Sequence, residues 1–261
     1  MPGLAEQAFW YAAIALHVLL AWRMWRLRLA ARYPVIFALL LMQLVRSLWL
    51  TQFLASPHRD WHALNRYSFT ILFTEPVLIA ARAAAVFEIC AGVLQSYRGL
   101  SIFSRLVMFA ALSISVAASI LLHWPEFSFA GERFPLLRLQ HLLETTVYSA
   151  LLVILLLLAL FVLYHPAPIR RNLLAHGIGF SFYMLSTSAA LWLRNLDASQ
   201  WTRAASTLRL GISVAGLALW AWMLSPRGEE ETVDVHVPLS PETEQRVLAR
   251  LEALNSALER K

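Results

Sequence analysis

The residues of this chain that could do chemistry are ionisable side chains set inside apolar stretches, where each costs about 3 kcal/mol or more unless it is paired or hydrated. The densest set lies between Ser68 and Tyr97, which carries Glu75, Arg82 and Glu88. Glu75 and Arg82 are seven residues apart, so a helix puts them on one face, about two turns from each other. That spacing is too long for a direct pair, and their partners are expected on other helices. Glu88 points roughly 120° away from Arg82 and lies towards the other end of the stretch, which makes it a structural residue with different neighbours. Ala80, Ala81, Ala83, Ala84 and Ala85 surround Arg82. Small residues let other helices approach closely, so this helix is expected at the centre of a bundle.

Candidate partners follow from depth along the other apolar stretches. Gln43 and Arg46 are three apart on the second stretch, and Arg138, His141 and Glu144 lie near the start of the fifth. Ser186, Thr187 and Ser188 on the sixth and Arg209 on the seventh stand at comparable depth. Gln43, Arg46, Glu75, Arg82, His141, Glu144 and Arg209 are therefore expected to line one polar pocket. Three arginines against two carboxylates leave it net positive and suited to a small anionic ligand. Three uses of such a set stay open: an ion-pair network that only fixes packing, a ligand pocket, or a proton or ion path.

Sharper catalytic signals are absent. His58, Arg59, Asp60 and Asn65 have the spacing of a kinase catalytic loop, but no glycine-rich loop or D-F-G accompanies them. His58 and His62 stand at i and i+4 and could form half a metal site, with His123 or His141 as further candidates, yet no convincing third ligand is present, and no metal is expected. His17 and His176 read as hydrogen-bonded packing residues; a haem pair would need them at matching depth. The only lysine is Lys261, at the end of a polar tail, so no retinal Schiff base can form within the apolar stretches. Cys90 is the single cysteine and reads as a packing residue. No cofactor and no catalytic residue are assigned. Gly177, Gly179 and Ser181 read as positions of close helix packing.

The elements that must hold these side chains are membrane helices. Of 261 residues, 59% are hydrophobic and only 15% charged, and the mean hydropathy is +0.59, a balance that implies lipid as the solvent. Seven apolar segments are each near the roughly 20 residues that a bilayer core requires. They run about 8–25, 34–54, 68–97, 101–124, 136–164, 172–193 and 204–224, so the expected fold is all-α, a polytopic bundle of seven transmembrane helices. Pro76 is the expected kink in the third, since it removes a donor opposite the carbonyl of Leu72. Arg23, Arg26, Arg28, Arg32, Arg98, Arg105, Arg170, Arg171 and Arg227 follow segments one, three, five and seven, which places the N-terminus outside and the C-terminus in the cytoplasm. Trp10, Trp22, Trp25, Trp49, Trp124, Trp192, Trp220 and Trp222 fall near segment ends and are expected at the membrane interface. The N-terminus lacks a basic region before its apolar run, so the first segment is expected to remain in the mature protein. The net charge of +6 comes from scattered arginines, which excludes a nucleic-acid surface.

Residues 1–226 thus form the expected bundle and 227–261 a cytoplasmic tail. In the tail, Ser240 and Pro241 can start a helix whose Val247, Leu251, Leu254 and Leu258 form one apolar stripe. That stripe can pair with its copy in a homodimer, dock on a cytoplasmic partner, lie on the membrane, or dock on the chain's own loops. The tail is too small for a catalytic output domain.

A small-solute or proton-coupled transporter is the main competing function. Ser47-Leu48-Trp49-Leu50 and Ala190-Leu191-Trp192-Leu193 hint at a repeat, but residues 150–162 are uniformly apolar and offer no polar route through the inner half. At Tyr33-Pro34-Val35-Ile36-Phe37, at Gln43 to Arg46 and at Val86-Phe87-Glu88-Ile89 the chain resembles a family of uncharacterised seven-span membrane proteins associated with acidobacterial genomes. The resemblance implies a bacterial inner-membrane location and brings no catalytic residues. The reading is a ligand-binding or sensory membrane component, a receptor that signals through a partner, with a transporter or a purely structural subunit as the alternatives.

Overall fold

In the computed structural model the described residues are 4–54, 61–95, 97–123, 135–164, 169–196, 202–233 and 241–259. About 90% of them are helical. The elements are α1 (Leu4–Arg26), α2 (Pro34–Leu54), α3 (Trp61–Val93), α4 (Arg98–His123), α5 (Pro135–Tyr164), α6 (Arg171–Leu196), α7 (Thr202–Met223) and α8 (Pro241–Glu259). Two short strands, β1 (Ile169–Arg170) and β2 (Thr232–Val233), pair antiparallel. Among the described residues five stretches are long and apolar enough to cross a membrane: Ala5–Arg26, Pro34–Gln52, Arg66–Val93, Gly99–Ala118 and Leu143–Tyr164. In α7 the apolar run is the shorter Leu210–Met223. This is the pattern of a multi-pass membrane protein.

Burial is inverted relative to a water-soluble protein. Leu121, Phe73 and Phe109 are 72%, 71% and 68% exposed, whereas Glu75 and Arg82 are 4% and 3% exposed. Only an apolar solvent makes that arrangement favourable, because large side chains facing outward gain nothing from water. The helix order follows: α3 packs against α2, α4, α5 and α6, α1 bridges α2 and α7, and α6 lies between α5 and α7. Helix α3 starts at Trp61, earlier than the apolar pattern suggests, and runs through Pro76 without interruption. The side-chain amide of Gln140 on α5 donates to the Ile71 carbonyl near this proline, at 3.2 Å.

One end of the bundle is closed by polar contacts. The carboxylate of Glu88 accepts from the backbone N–H groups of Val35 and Ile36, at 3.2 and 3.0 Å, and so satisfies the first turn of α2, where Pro34 has no donor to offer. Arg28 takes a left-handed conformation, with φ 56°, to turn the chain from α1 into a short 3-10 helix before α2. Arg23 donates to the last carbonyl of the α7 exit, Leu224 O, at 2.7 Å. Fully buried Asn172 brackets Ser225, accepting from its N–H at 2.9 Å and donating to its carbonyl at 3.0 Å. Gly228 is needed there, since a Cβ would lie 2.4 Å from Asn172 Oδ1. Glu229 then accepts from the Tyr33 hydroxyl at 3.0 Å and pairs with Arg32 at 2.9 Å, and Arg171 pairs with Glu231 at 3.0 Å. Burial, reinforced by the Glu229 charge, pushes the Tyr33 phenol well above its ordinary pKa, so it remains a donor at neutral pH. The boundary expected at residue 226 falls inside this clasp.

Helix α8 seats on α4 of its own chain. Asn255 Oδ1 accepts from Gly99 N–H at 2.7 Å, capping α4 from outside, and Leu251 is buried. A Cβ on Gly99 would lie 2.5 Å from Asn255 O and 2.9 Å from Leu258 Cβ. The side chains of Val247 and Leu254 and the cap position Ser240 lie outside the described residues. Asn255→Ala and Gly99→Leu are each expected to release α8, raising tryptic cleavage after exposed Arg250 about tenfold while the bundle keeps its Tm. Unchanged cleavage in both variants would show that the capping contact does not hold the helix.

Candidate functional site

A cavity of about 520 Å³ opens among α1, α2, α3, α5, α6 and α7, at the end of the bundle away from the Glu229 clasp. Its size is that of a small-molecule pocket. Gln43, Arg46, Glu75, Arg82 and Glu144, five of the seven residues expected to converge, line it. The side chains of His141 and Arg209 lie outside the described residues, as do His62, Asn65 and His123 and the whole of His58, Arg59 and Asp60.

Glu75 is the hub. Its Oε2 pairs with Arg46 Nη2 at 2.5 Å, and its Oε1 accepts from Arg82 Nη1 at 2.7 Å and from the Tyr148 hydroxyl at 2.9 Å. The Glu75–Arg82 pair within α3 corrects the expectation that seven residues are too many for direct contact. Side chains on a helix lean towards its N-terminus, so Arg82 reaches back along α3 and closes most of the two-turn gap. Arg82 Nη1 also donates to the Tyr148 hydroxyl, and its guanidinium lies 5.1 and 5.3 Å from the ring centroids of Tyr148 and Tyr183.

Hydrogen-bond logic extends the network to α1. His17 Nδ1 lies 2.7 Å from the Ala13 carbonyl and must donate to it, which favours Nε2 as an acceptor. The Gln43 amide then donates to His17 Nε2 at 2.9 Å and turns its oxygen to Arg82, accepting from Nε at 3.2 Å and Nη2 at 2.9 Å. The opposite orientation would aim an NH2 group at a guanidinium. His17, Gln43, Arg82, Glu75, Tyr148 and Arg46 therefore form one connected set on four helices.

Tyr148 was legible as a position, standing four residues after Glu144 on the same helical face, but not as a partner of Glu75. Trp10, expected at the interface, lines the cavity. Trp220, also expected at the interface, is buried: its Nε1 donates to His176 Nδ1 at 2.9 Å. It packs on Gly179, where a Cβ would lie 2.6 Å from the indole, whereas Gly177 has ordinary room, 3.9 Å from Ile89. Close packing on α6 thus depends on Gly179 more than on Gly177; Ser181 is half-buried. Glu88 stands apart from the cavity, on the first turn of α2. Among the described residues no group of three or more His, Cys, Asp or Glu side chains could hold a metal.

The arrangement can hold charge and recognise polar groups. Removing one member of a buried ion pair strands the other, so Arg82→Leu is expected to lower stability by about 3–5 kcal/mol. Tyr148→Phe, which removes one hydroxyl from the set, is expected to cost about 1 kcal/mol. Thermal unfolding in detergent or nanodiscs reads both, and equal small effects would remove Glu75 from the role of hub. Compared with known proteins, the chain matches no family model, and no curated protein and no solved structure is significantly similar to it.

Proposed function

We propose that the chain is a seven-helix integral membrane protein of a bacterial inner membrane, with its N-terminus outside and its tail in the cytoplasm, whose cavity takes a small ligand. The binding state passes to a partner protein through the cytoplasmic face, making this a ligand-binding or sensory component rather than an enzyme. The observation that carries the reading is the cavity: a buried ion-pair set is exposed to an internal space instead of being sealed by packing.

Two further features support it. Nine arginines lie near the segment ends opposite the cavity, against Arg59, Arg66, Arg133, Arg194 and Arg203 on the cavity side, so the positive-inside bias favours an outward cavity. Below the cavity the described residues are mostly apolar, Leu20, Met24, Ile36, Ile89 and Leu151 among them, with buried His176 bonded to Trp220. That favours binding over transport. The inner-membrane assignment rests on the resemblance of the first three segments and on the arginine pattern.

Thiol labelling tests the reading. In a Cys90→Ala background, Ser213→Cys on the cavity wall is expected to react with a membrane-impermeant maleimide added from outside and not from the cytoplasmic side. Equal reaction from both sides would replace the binding reading by a transport route. Reaction from neither would leave only a packing network.

A further inference from the structure

We infer that the ligand of this cavity carries a single carboxylate on an apolar body, and that Arg46 and Trp10, not Arg82, take that carboxylate. The inference rests on the ligand-pocket reading above and names the chemistry of its ligand.

The two arginines on Glu75 differ in what they have left to offer. Arg82 spends Nε and Nη2 on Gln43 and Nη1 on Glu75 and Tyr148, and lies against two tyrosine rings. Its side chain is 4% exposed, so nothing can reach it without breaking the set. Arg46 meets Glu75 through Nη2 alone, its side chain is 19% exposed, and its buried Nε has no hydrogen-bond partner among the described residues. Trp10 Nε1, on the same cavity, is buried and likewise without a partner. A buried donor left unmade costs about 1–3 kcal/mol, so both groups favour an acceptor between them.

Helix geometry brings these two donors to a similar level. The His17–Gln43 contact sets the register of α1 against α2, which run antiparallel. Trp10 stands about 10 Å beyond His17 and the Arg46 backbone about 4.5 Å beyond Gln43, in the same direction, at 1.5 Å per residue. The difference of about 6 Å along the helix axes is one that a carboxylate can bridge by taking a hydrogen bond of about 2.9 Å on each oxygen. Both unpaired groups are N–H donors, and a carboxylate has two acceptor oxygens, one for each.

Charge makes the anion single. Arg46, Arg82 and Glu75 sum to +1, and Glu144 on the same cavity adds a further negative charge that disfavours a dianion. One negative charge neutralises the cluster; a second would be buried without a counterion. The opposite wall, with Leu217, Phe180, Tyr183 and Trp220, suits an apolar or aromatic body. Two sources share this chemistry: a water-soluble aromatic acid, and a fatty acid from the bilayer.

Calorimetric titration of the full chain in nanodiscs separates them, with benzoate as the soluble probe, decanoate as the bilayer probe and benzamide as the neutral analogue. At least one carboxylate is expected to bind, benzamide at least about tenfold more weakly than benzoate, and Trp10→Phe to weaken carboxylate binding about tenfold, the worth of one charge-assisted hydrogen bond. Arg46→Gln is expected to lose binding altogether. Preference for decanoate assigns the bilayer source and preference for benzoate the aqueous one. Equal binding of benzamide and benzoate, or unaltered binding in Trp10→Phe, would overturn the carboxylate assignment and leave the pocket standing. No carboxylate bound at millimolar concentration overturns it as well, and a Ser213→Cys thiol inaccessible from both sides removes the pocket itself.

Discussion

Glu75 is a carboxylate in the middle of a helix and only 4% exposed, and the packing of the cavity half of the bundle follows from what it must have around it. Two guanidiniums and a phenol supply that shell. Since they come from α2, α3 and α5, and Gln43 and His17 add α1, satisfying one buried charge sets the register of four helices at once. The arrangement does not have to add net stability to do this, because desolvating three charges offsets much of their attraction. Its effect is to make every other register costly. An apolar interface could slide by one residue with little penalty, whereas a displaced Glu75 would lose both cations.

The opposite end of α3 solves a different problem by the same means. Glu88 spends its charge on two backbone donors at the start of α2, an N-terminus whose own sequence offers no capping side chain. Asn172, Glu229 and Arg23 satisfy the exits of α7 and the β1–β2 pair, and Asn255 satisfies the start of α4. Polar groups at this end are bound to one another. At the other end Arg46 and Trp10, both on the cavity wall, keep buried donors without a partner among the described residues. Between the two lies an apolar layer, with His176 fully buried and bonded to Trp220.

Much of this was legible in the residues. The seven expected segments coincide in position with helices α1 to α7 to within a few residues at most ends, and among the described residues five of these helices carry a stretch long and apolar enough to cross a membrane. The central place of α3 followed from the alanines around Arg82. Convergence of Gln43, Arg46, Glu75, Arg82 and Glu144 on one cavity followed from depth alone, since charges in hydrocarbon must find one another. Among the described residues the apolar run of α7 is Leu210–Met223.

Sequence by itself determined which segments are helices, which carry charge and at what depth, because hydropathy and helical rise are properties of a single chain segment. Only the tertiary structure decided which of two buried arginines is saturated, that Arg82 leans back onto Glu75, that Trp220 turns inward while Trp222 stays exposed, and that α8 lies on α4. Those outcomes depend on the rotation of each helix about its axis and on the direction its side chains lean. Neighbouring helices set both, and spacing along one segment carries no record of them.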